Sequence, residues 1–243
     1  MNVLVLAAGF GTRLYPLTKE IPKALITING KTLLDDILER LEGINVSNIF
    51  ILSNWKFYNS FLKWLDRSKF KDKIRIVHNG VFFEEDKKGA VVDLQHFLKS
   101  ENIEDMFILA SDNLLRFDLM KMLKLSQDRK KSVVALKHIP EIELIKKYSC
   151  AELNSDKKVI FFEEKPKNPK TNLCVTACYL LRKEDLIKIR DNSFVNKDNM
   201  GNIIDFLVKS SEIYGVEYED FWTDIGSLEE LRRAEDLVRD NLI

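Results

Sequence analysis

The chain has 243 residues, 45% of them hydrophobic and 31% charged, an ordinary globular composition with length enough for one large domain or two small ones. Lysine plus arginine and aspartate plus glutamate both total 38, so the formal charge is zero, which argues against a general nucleic-acid binder resting on excess basic charge. No stretch approaches the roughly 20 apolar residues of a membrane span. The N-terminus, MNVLVLAAG, lacks the basic and apolar regions of a leader, and the three cysteines (Cys150, Cys174, Cys178) show no CxxC spacing and read as buried reduced thiols. A cytoplasmic protein with neither membrane nor nucleic acid among its partners is the expectation.

Short apolar runs at residues 3–7, 49–53, 74–77, 107–110, 132–137, 158–163 and 174–181 read as strands. Helical periodicity at residues 33–41, 56–65, 91–100, 119–125 and 203–211 falls between or after them. A final amphipathic helix at 228–239 is introduced by Ser227 with Glu230 three residues on, the spacing of a capping box. The alternation predicts an α/β fold with helices packed on a mostly parallel central sheet, and the closer spacing of the later strands predicts a mixed or antiparallel extension. With no repeat, low-complexity segment or linker, residues 1–243 read as one domain.

The first strand runs straight into Ala8-Gly9-Phe10-Gly11-Thr12-Arg13-Leu14. Glycines after a strand let the backbone approach a phosphate closely and offer it several N–H groups. The loop is not a Walker A motif, because no GK[ST] follows, and it fails the dinucleotide fingerprint because Leu14 occupies the third glycine position. It continues through Pro16-Leu17-Thr18 to Pro22-Lys23-Ala24-Leu25. A guanidinium (Arg13) and an ammonium (Lys23) on one loop suit a triphosphate whose charge shifts to leaving pyrophosphate.

This pattern, LAAGFGTRLYPLT-x4-PKAL, resembles the signature of the sugar-1-phosphate nucleotidyltransferases, the nucleotidylyl-pyrophosphorylase family, in its glucose-1-phosphate thymidylyltransferase-like subgroup. The similarity continues at Ala110-Ser111-Asp112-Asn113, at Phe162-Glu163-Glu164-Lys165-Pro166 and at Trp222-Thr223-Asp224-Ile225-Gly226-Ser227, in the family's order and over nearly the whole chain. The resemblance implies a Rossmann-like, GT-A-like nucleotide-diphospho-sugar transferase domain, with a nucleotide-binding part at about 1–115 and an acceptor-binding part with the C-terminal helix at about 116–243. It places the nucleotide against Leu6, Ala7, Ala8, Gly9, Gly11, Thr12, Arg13, Lys23, Gly89 and Asp112. It makes Asp112 and Asp224 the ligands of Mg²⁺, an ion that favours a few carboxylates together with phosphate and water. The acceptor falls to Glu164, through hydroxyls, and to Lys165, through its phosphate, with Tyr148, Ser149 and Asn202 beside it. Adjacent residues on a strand point to opposite faces, so Glu164 and Lys165 need a turn or bulge to serve one site. A helix N-cap before Ile203 would explain Asn202 nearly as well.

The implied reaction is in-line displacement at the α-phosphorus of an NTP by an already anionic acceptor phosphate, with pyrophosphate leaving. No general base is required, and His78, His96 and His138 lie outside the matched blocks. Arg13, Lys23, Asp112 and Lys165 carry the catalysis by positioning and charge neutralisation.

Two departures leave the substrates open. Thymidylyl and uridylyl members set a glutamine against the base, where Lys88-Gly89-Ala90-Val91-Val92-Asp93 keeps the glycine but places Val92 near the glutamine position. The base would then be read by backbone groups or by Asp93, so dTTP, UTP and CTP all stand as donors. Tyr148-Ser149 replaces the Tyr-Gly common beside the sugar. The leading expectation is a hexose 1-phosphate acceptor serving surface-polysaccharide synthesis. The alternatives are a CTP-dependent cytidylyltransferase acting on a non-sugar phosphate such as phosphocholine, and a nucleotide-binding regulatory subunit without turnover. The short run after Asp224 leaves no room for the appended acyltransferase domain of some relatives, and homo-oligomers are common among them.

Overall fold

A computed structural model describes residues 1–240 and 242. In chain order its elements are β1 (Asn2–Ala7), β2 (Thr27–Ile28), β3 (Lys31–Thr32), α1 (Leu33–Glu39), β4 (Asn48–Ser53), α2 (Tyr58–Leu65), β5 (Ile74–His78), α3 (Ala90–Ser100), β6 (Met106–Ala110) and β7 (Asn113–Leu115). There follow α4 (Leu119–Arg129), β8 (Ser132–His138), α5 (Ile142–Ile145), β9 (Ser149–Leu153), β10 (Val159–Glu164), β11 (Leu173–Leu181), α6 (Lys183–Asp191), α7 (Gly201–Ser210), β12 (Ile213–Tyr218), β13 (Trp222–Asp224) and α8 (Leu228–Arg239).

Continuous apolar runs, rather than alternating ones, mark strands covered on both faces. Val3, Leu4 and Val5 of β1, Ile51 of β4 and Val133 to Leu136 of β8 are accordingly all fully buried. Seven strands share one mixed, mostly parallel sheet in the order β12-β8-β11-β6-β1-β4-β5, so the expected α/β architecture is the one found. β1 pairs β4 in parallel, β4 pairs β5 in parallel and β12 pairs β8 in parallel, while β11 runs antiparallel to β8. The antiparallel extension expected of the later strands is the two-stranded β9–β10 ribbon, in which Ser149 lies opposite Glu164.

Two compact units divide the chain. The first comprises Met1–Lys87, Leu109–Phe117 and Asp220–Ile243. Beside its parallel strands it holds a second apolar cluster of Leu14, Ile26, Ile28, Leu33, Leu114, Ile225, Leu231 and Ala234, which seats the glycine-rich loop and α8 on common ground. The second unit comprises Lys88–Ile108 and Asp118–Glu219. In it β12 accepts a glycine mid-strand, because a Cβ on Gly215 would overlap the side chains of Leu136 and Leu153.

Cys150, Cys174 and Cys178 are free and buried, as expected. Burial pushes the thiol of Cys174 up to about 11 and that of Cys178 to about 12, so both stay protonated and unreactive at neutral pH. No helix among the described residues is long and apolar enough to cross a membrane.

Candidate active site

In the first unit the glycine-rich loop leaves β1 and turns at Gly11, whose φ of 66° lies in the left-handed region that favours glycine. Thr18 is fully buried and its hydroxyl donates to the Gly11 carbonyl at 2.7 Å, closing the loop on itself. Gly9 differs: its φ is ordinary, and a Cβ there would meet nothing within 4 Å. The open space above it is compatible with a close-lying ligand, the geometry of a phosphate cradle.

Asp112 follows β6, at the carboxyl end of a sheet strand where open α/β folds bind ligands. Asp224 reaches the same place by a separate route. It is the last residue of β13, and the antiparallel β7–β13 pair sets it opposite Asn113. The Ile225 N–H donates to the Asp112 carbonyl at 2.9 Å, which pins the two carboxylate-bearing residues together. Asn113 Nδ2 donates to Asp112 Oδ1 at 3.0 Å and is itself held by Trp222 Nε1 at 2.6 Å.

Lys23 completes the cluster. Its Nζ lies 2.6 Å from Asp112 Oδ2 and 3.9 Å from Asp224 Oδ1, and its side chain is only 11% exposed. Burial pushes the Asp112 carboxyl up, but the charge and hydrogen bond of Lys23, with help from Asn113, outweigh it and hold the group below its ordinary value. Among the described residues Asp224 has the longer Lys23 contact and no side-chain hydrogen bond. Burial first, and then the negative charge of Asp112, push it to about 7, with Lys23 pulling the other way. One ammonium serves two half-buried carboxylates, with the charge of Arg13 adding a weaker pull on Asp224.

Arg13 packs over the backbone of Gly226, where a Cβ would come within 3.0 Å of both terminal guanidinium nitrogens. Ser227 caps α8, accepting from the Glu230 N–H at 3.2 Å, as its spacing predicts. The return bond departs from the standard box: Glu230 Oε2 accepts from the Gly226 N–H at 2.7 Å, one residue before the cap. The first turn of α8 thus holds the peptide on which Arg13 rests.

The second unit carries the other matched residues. β10 ends at Glu164, and Lys165 adopts a left-handed φ of 48°, uncommon for a non-glycine residue, with its N–H donating to the Tyr148 carbonyl at 2.7 Å. This turn breaks the strand alternation, so that both side chains meet the same stretch of chain at the start of α7. Lys165 Nζ donates to Asn199 Oδ1 at 3.1 Å, and the Glu164 carboxylate sits where a Cβ on Gly201 would be. Burial pushes the Glu164 carboxyl up to about 7, partly opposed by Lys165.

Other sequence candidates land differently. Asn202 is not an N-cap; it lies within the first turn of α7, whose cap position is Met200, and its side chain donates to the Asn199 carbonyl at 2.8 Å. Ser149 is buried, its hydroxyl bonded to both the N–H (3.1 Å) and the carbonyl (3.3 Å) of Val175. Gly89 has a φ of 95°, and a Cβ on it would overlap the Lys197 carbonyl. Asn199, Asn113, Thr18 and Gly226 are the residues that motif reading left without a role. Asn113, Thr18 and Gly226 lie inside matched blocks; Asn199 has no signal beyond its place in KDNMGNIID.

A phosphate-type loop on an open α/β sheet, with a lysine and two carboxylates gathered beside it, defines a nucleotide-handling class of protein. A family model described as nucleotidyl transferase matches residues 2–241, and the chain belongs to that family. It is 29% identical over 245 residues to the bifunctional protein GlmU of Methanocaldococcus jannaschii, covering 100% of this chain and 55% of that protein. It is 26% identical over 258 residues to a glucose-1-phosphate adenylyltransferase of Clostridioides difficile, covering 95% of this chain and 64% of that one. The chain thus spans between about half and two thirds of the length of these curated relatives. A crystal structure of a glucose-1-phosphate thymidylyltransferase from Bacillus anthracis in complex with sucrose superposes with a TM-score of 0.85 at 23% identity, over 99% of this chain and 96% of that one. UDP-glucose pyrophosphorylase complexed with UDP-glucose gives a TM-score of 0.85 at 20% identity, over 99% and 98% of the two chains. At these identities the two structures establish the fold.

Proposed function

We propose that this chain is a cytoplasmic, Mg²⁺-dependent nucleotidyltransferase that condenses an NTP with a sugar 1-phosphate, giving an NDP-sugar and pyrophosphate for surface-polysaccharide synthesis. The observation that carries the reading is Lys23 set between Asp112 and Asp224 beside a glycine-rich loop, on the fold of known pyrophosphorylases. The relatives named above favour a sugar phosphate over phosphocholine as acceptor, and one of them adds ATP to the candidate donors.

The residues fit a magnesium ion. Two hard carboxylates converge beside one ammonium, and no group of three or more metal-ligating side chains forms among the described residues, which suits an ion completed by phosphate and water. When bound, the ion would supply charge neutralisation at the triphosphate. The chain's own residues would do the rest. Backbone N–H groups from Ala8 to Thr12 would hold the phosphates, and Arg13 and Lys23 would balance charge moving toward pyrophosphate. Lys165 would hold the acceptor phosphate, and Glu164 would bond an acceptor hydroxyl. Because the attacking phosphate oxygen is already anionic, no base is assigned. The hydroxyl of Ser149 is engaged within the fold and takes no part in this scheme.

The test is pyrophosphate release across ATP, CTP, dTTP, GTP and UTP against glucose 1-phosphate, other sugar 1-phosphates and phosphocholine. Release with one sugar 1-phosphate, abolished by EDTA and restored by Mg²⁺, is the expected result. Turnover with phosphocholine alone, or tight NTP binding without turnover for any acceptor, would overturn the proposal.

A further inference from the structure

Lys165 is exposed, yet its ammonium has a single side-chain partner, the amide oxygen of Asn199, and no carboxylate lies within ion-pairing distance among the described residues. An ammonium has three donors, so two remain for an anion. Asn199 is well placed to fix the third. Its own carbonyl accepts from the Asn202 N–H at 3.2 Å and from Asn202 Nδ2 at 2.8 Å, which anchors the residue to the first turn of α7. Two residues on, Gly201 packs against the Glu164 carboxylate. Two residues back, the Lys197 carbonyl accepts from the Val91 N–H at 3.0 Å and closes over Gly89. The span 197–202 is therefore held at both ends, with Asn199 between.

We propose that Asn199 is the positioning residue for Lys165, a neutral acceptor that aims the ammonium at the acceptor phosphate without neutralising it. The amide group matters for a physical reason. An aspartate of the same shape would make a stronger bond to Lys165 but would cancel its charge and set a carboxylate against the incoming phosphate. The inference rests on the reading above, in which Lys165 binds the acceptor.

The test uses steady-state pyrophosphate release by the full chain with Asn199→Ala, Asn199→Asp, Lys165→Ala and the two double variants. Asn199→Ala should raise the acceptor KM about tenfold, the effect of one hydrogen bond to a charged group, with the NTP KM within about twofold of the starting value. Asn199→Asp should raise the acceptor KM further, although it preserves shape and backbone contacts; a merely structural role would instead be rescued by it. In the Lys165→Ala background both substitutions should add little, because contacting residues couple. An Asn199→Asp protein with unchanged acceptor KM, or Asn199 effects fully additive to Lys165→Ala, would overturn the positioning role alone. No change in acceptor KM on Lys165→Ala, or no turnover by the unsubstituted chain, would overturn the underlying reading and this inference with it.

Discussion

Two lysines, one in each unit, are held by opposite means. Lys23 is nearly buried and clasped by carboxylates, so its charge is cancelled where it stands. Lys165 is exposed, and among the described residues its ammonium hydrogen-bonds the neutral amide of Asn199 with no carboxylate in ion-pairing distance. The surroundings of Lys23 set two carboxylates against one ammonium, as the proposed cation site would require. Those of Lys165 leave its ammonium unneutralised, as the proposed acceptor-phosphate site would require. The same residue type is thus tuned by its partner, not by its own chemistry, and under the proposed function the difference suits Lys23 to the donor and Lys165 to the acceptor phosphate.

Substituting the lysines themselves is the strongest way to break that contrast. Lys23→Ala should lower kcat by about 10²–10³, the range for loss of one charge-stabilising group in a transition state, with circular dichroism unchanged. Near-normal turnover would remove Lys23 from the chemistry. Lys165→Ala should act on the acceptor, raising its KM by roughly 10- to 100-fold while the NTP KM moves little, as expected for a lost charged hydrogen bond. If both lysines shifted the same parameter, the division of labour would be wrong.

Gly201→Ala sharpens the acceptor side without touching charge. A Cβ would displace the Glu164 carboxylate, so stability should fall by about 1–3 kcal/mol and the acceptor KM should rise. Urea denaturation and kinetics on one preparation would check both. Glu164 also gives a pH signature. Its folded-state carboxyl is raised from the ordinary 4.5 to about 7, so between those values the native chain keeps a proton that the unfolded chain has lost. The contribution of this group therefore falls as pH rises through that window, and Glu164→Gln should flatten the slope in denaturation at pH 5, 6, 7 and 8. An unchanged slope would show that Glu164 ionises normally. The smallest effect is expected at Thr18→Val, where losing the bond to the Gly11 carbonyl should cost about 1 kcal/mol and lower the melting temperature by a few degrees.

The Lys23 cluster was legible because its residues sit in dense, chemically distinctive blocks: Arg13, Lys23, Asp112 and Asp224 each stand among glycines, prolines or apolar strand residues that fix their context. The contacts that arrange them were not. That Glu230 would reach Gly226, or that Asp224 would close a three-residue ladder with Asn113, depends on pairings far apart in the chain. Trp222–Asp224 and Asn113–Leu115 are too short to show alternation. α6, Lys183–Asp191, was missed because its few apolar residues are diluted by charge, and β12 because Gly215 interrupts its run. Asn199 had no motif to announce it; its role appears only when the left-handed turn at Lys165 carries the ammonium to it.

The threading of the first unit has a consequence for how the protein is made. Lys23 must wait for Asp112, 89 residues later, and both must wait for Asp224, which arrives after the whole second unit has been synthesised. Translation runs at about 5–20 residues per second, so a nascent chain can hold its glycine loop for seconds before the facing carboxylates exist. The ribosome therefore delivers the glycine-rich loop and Lys23 first and Asp224 last. A truncated product released early would carry Lys23 without the carboxylates that hold it.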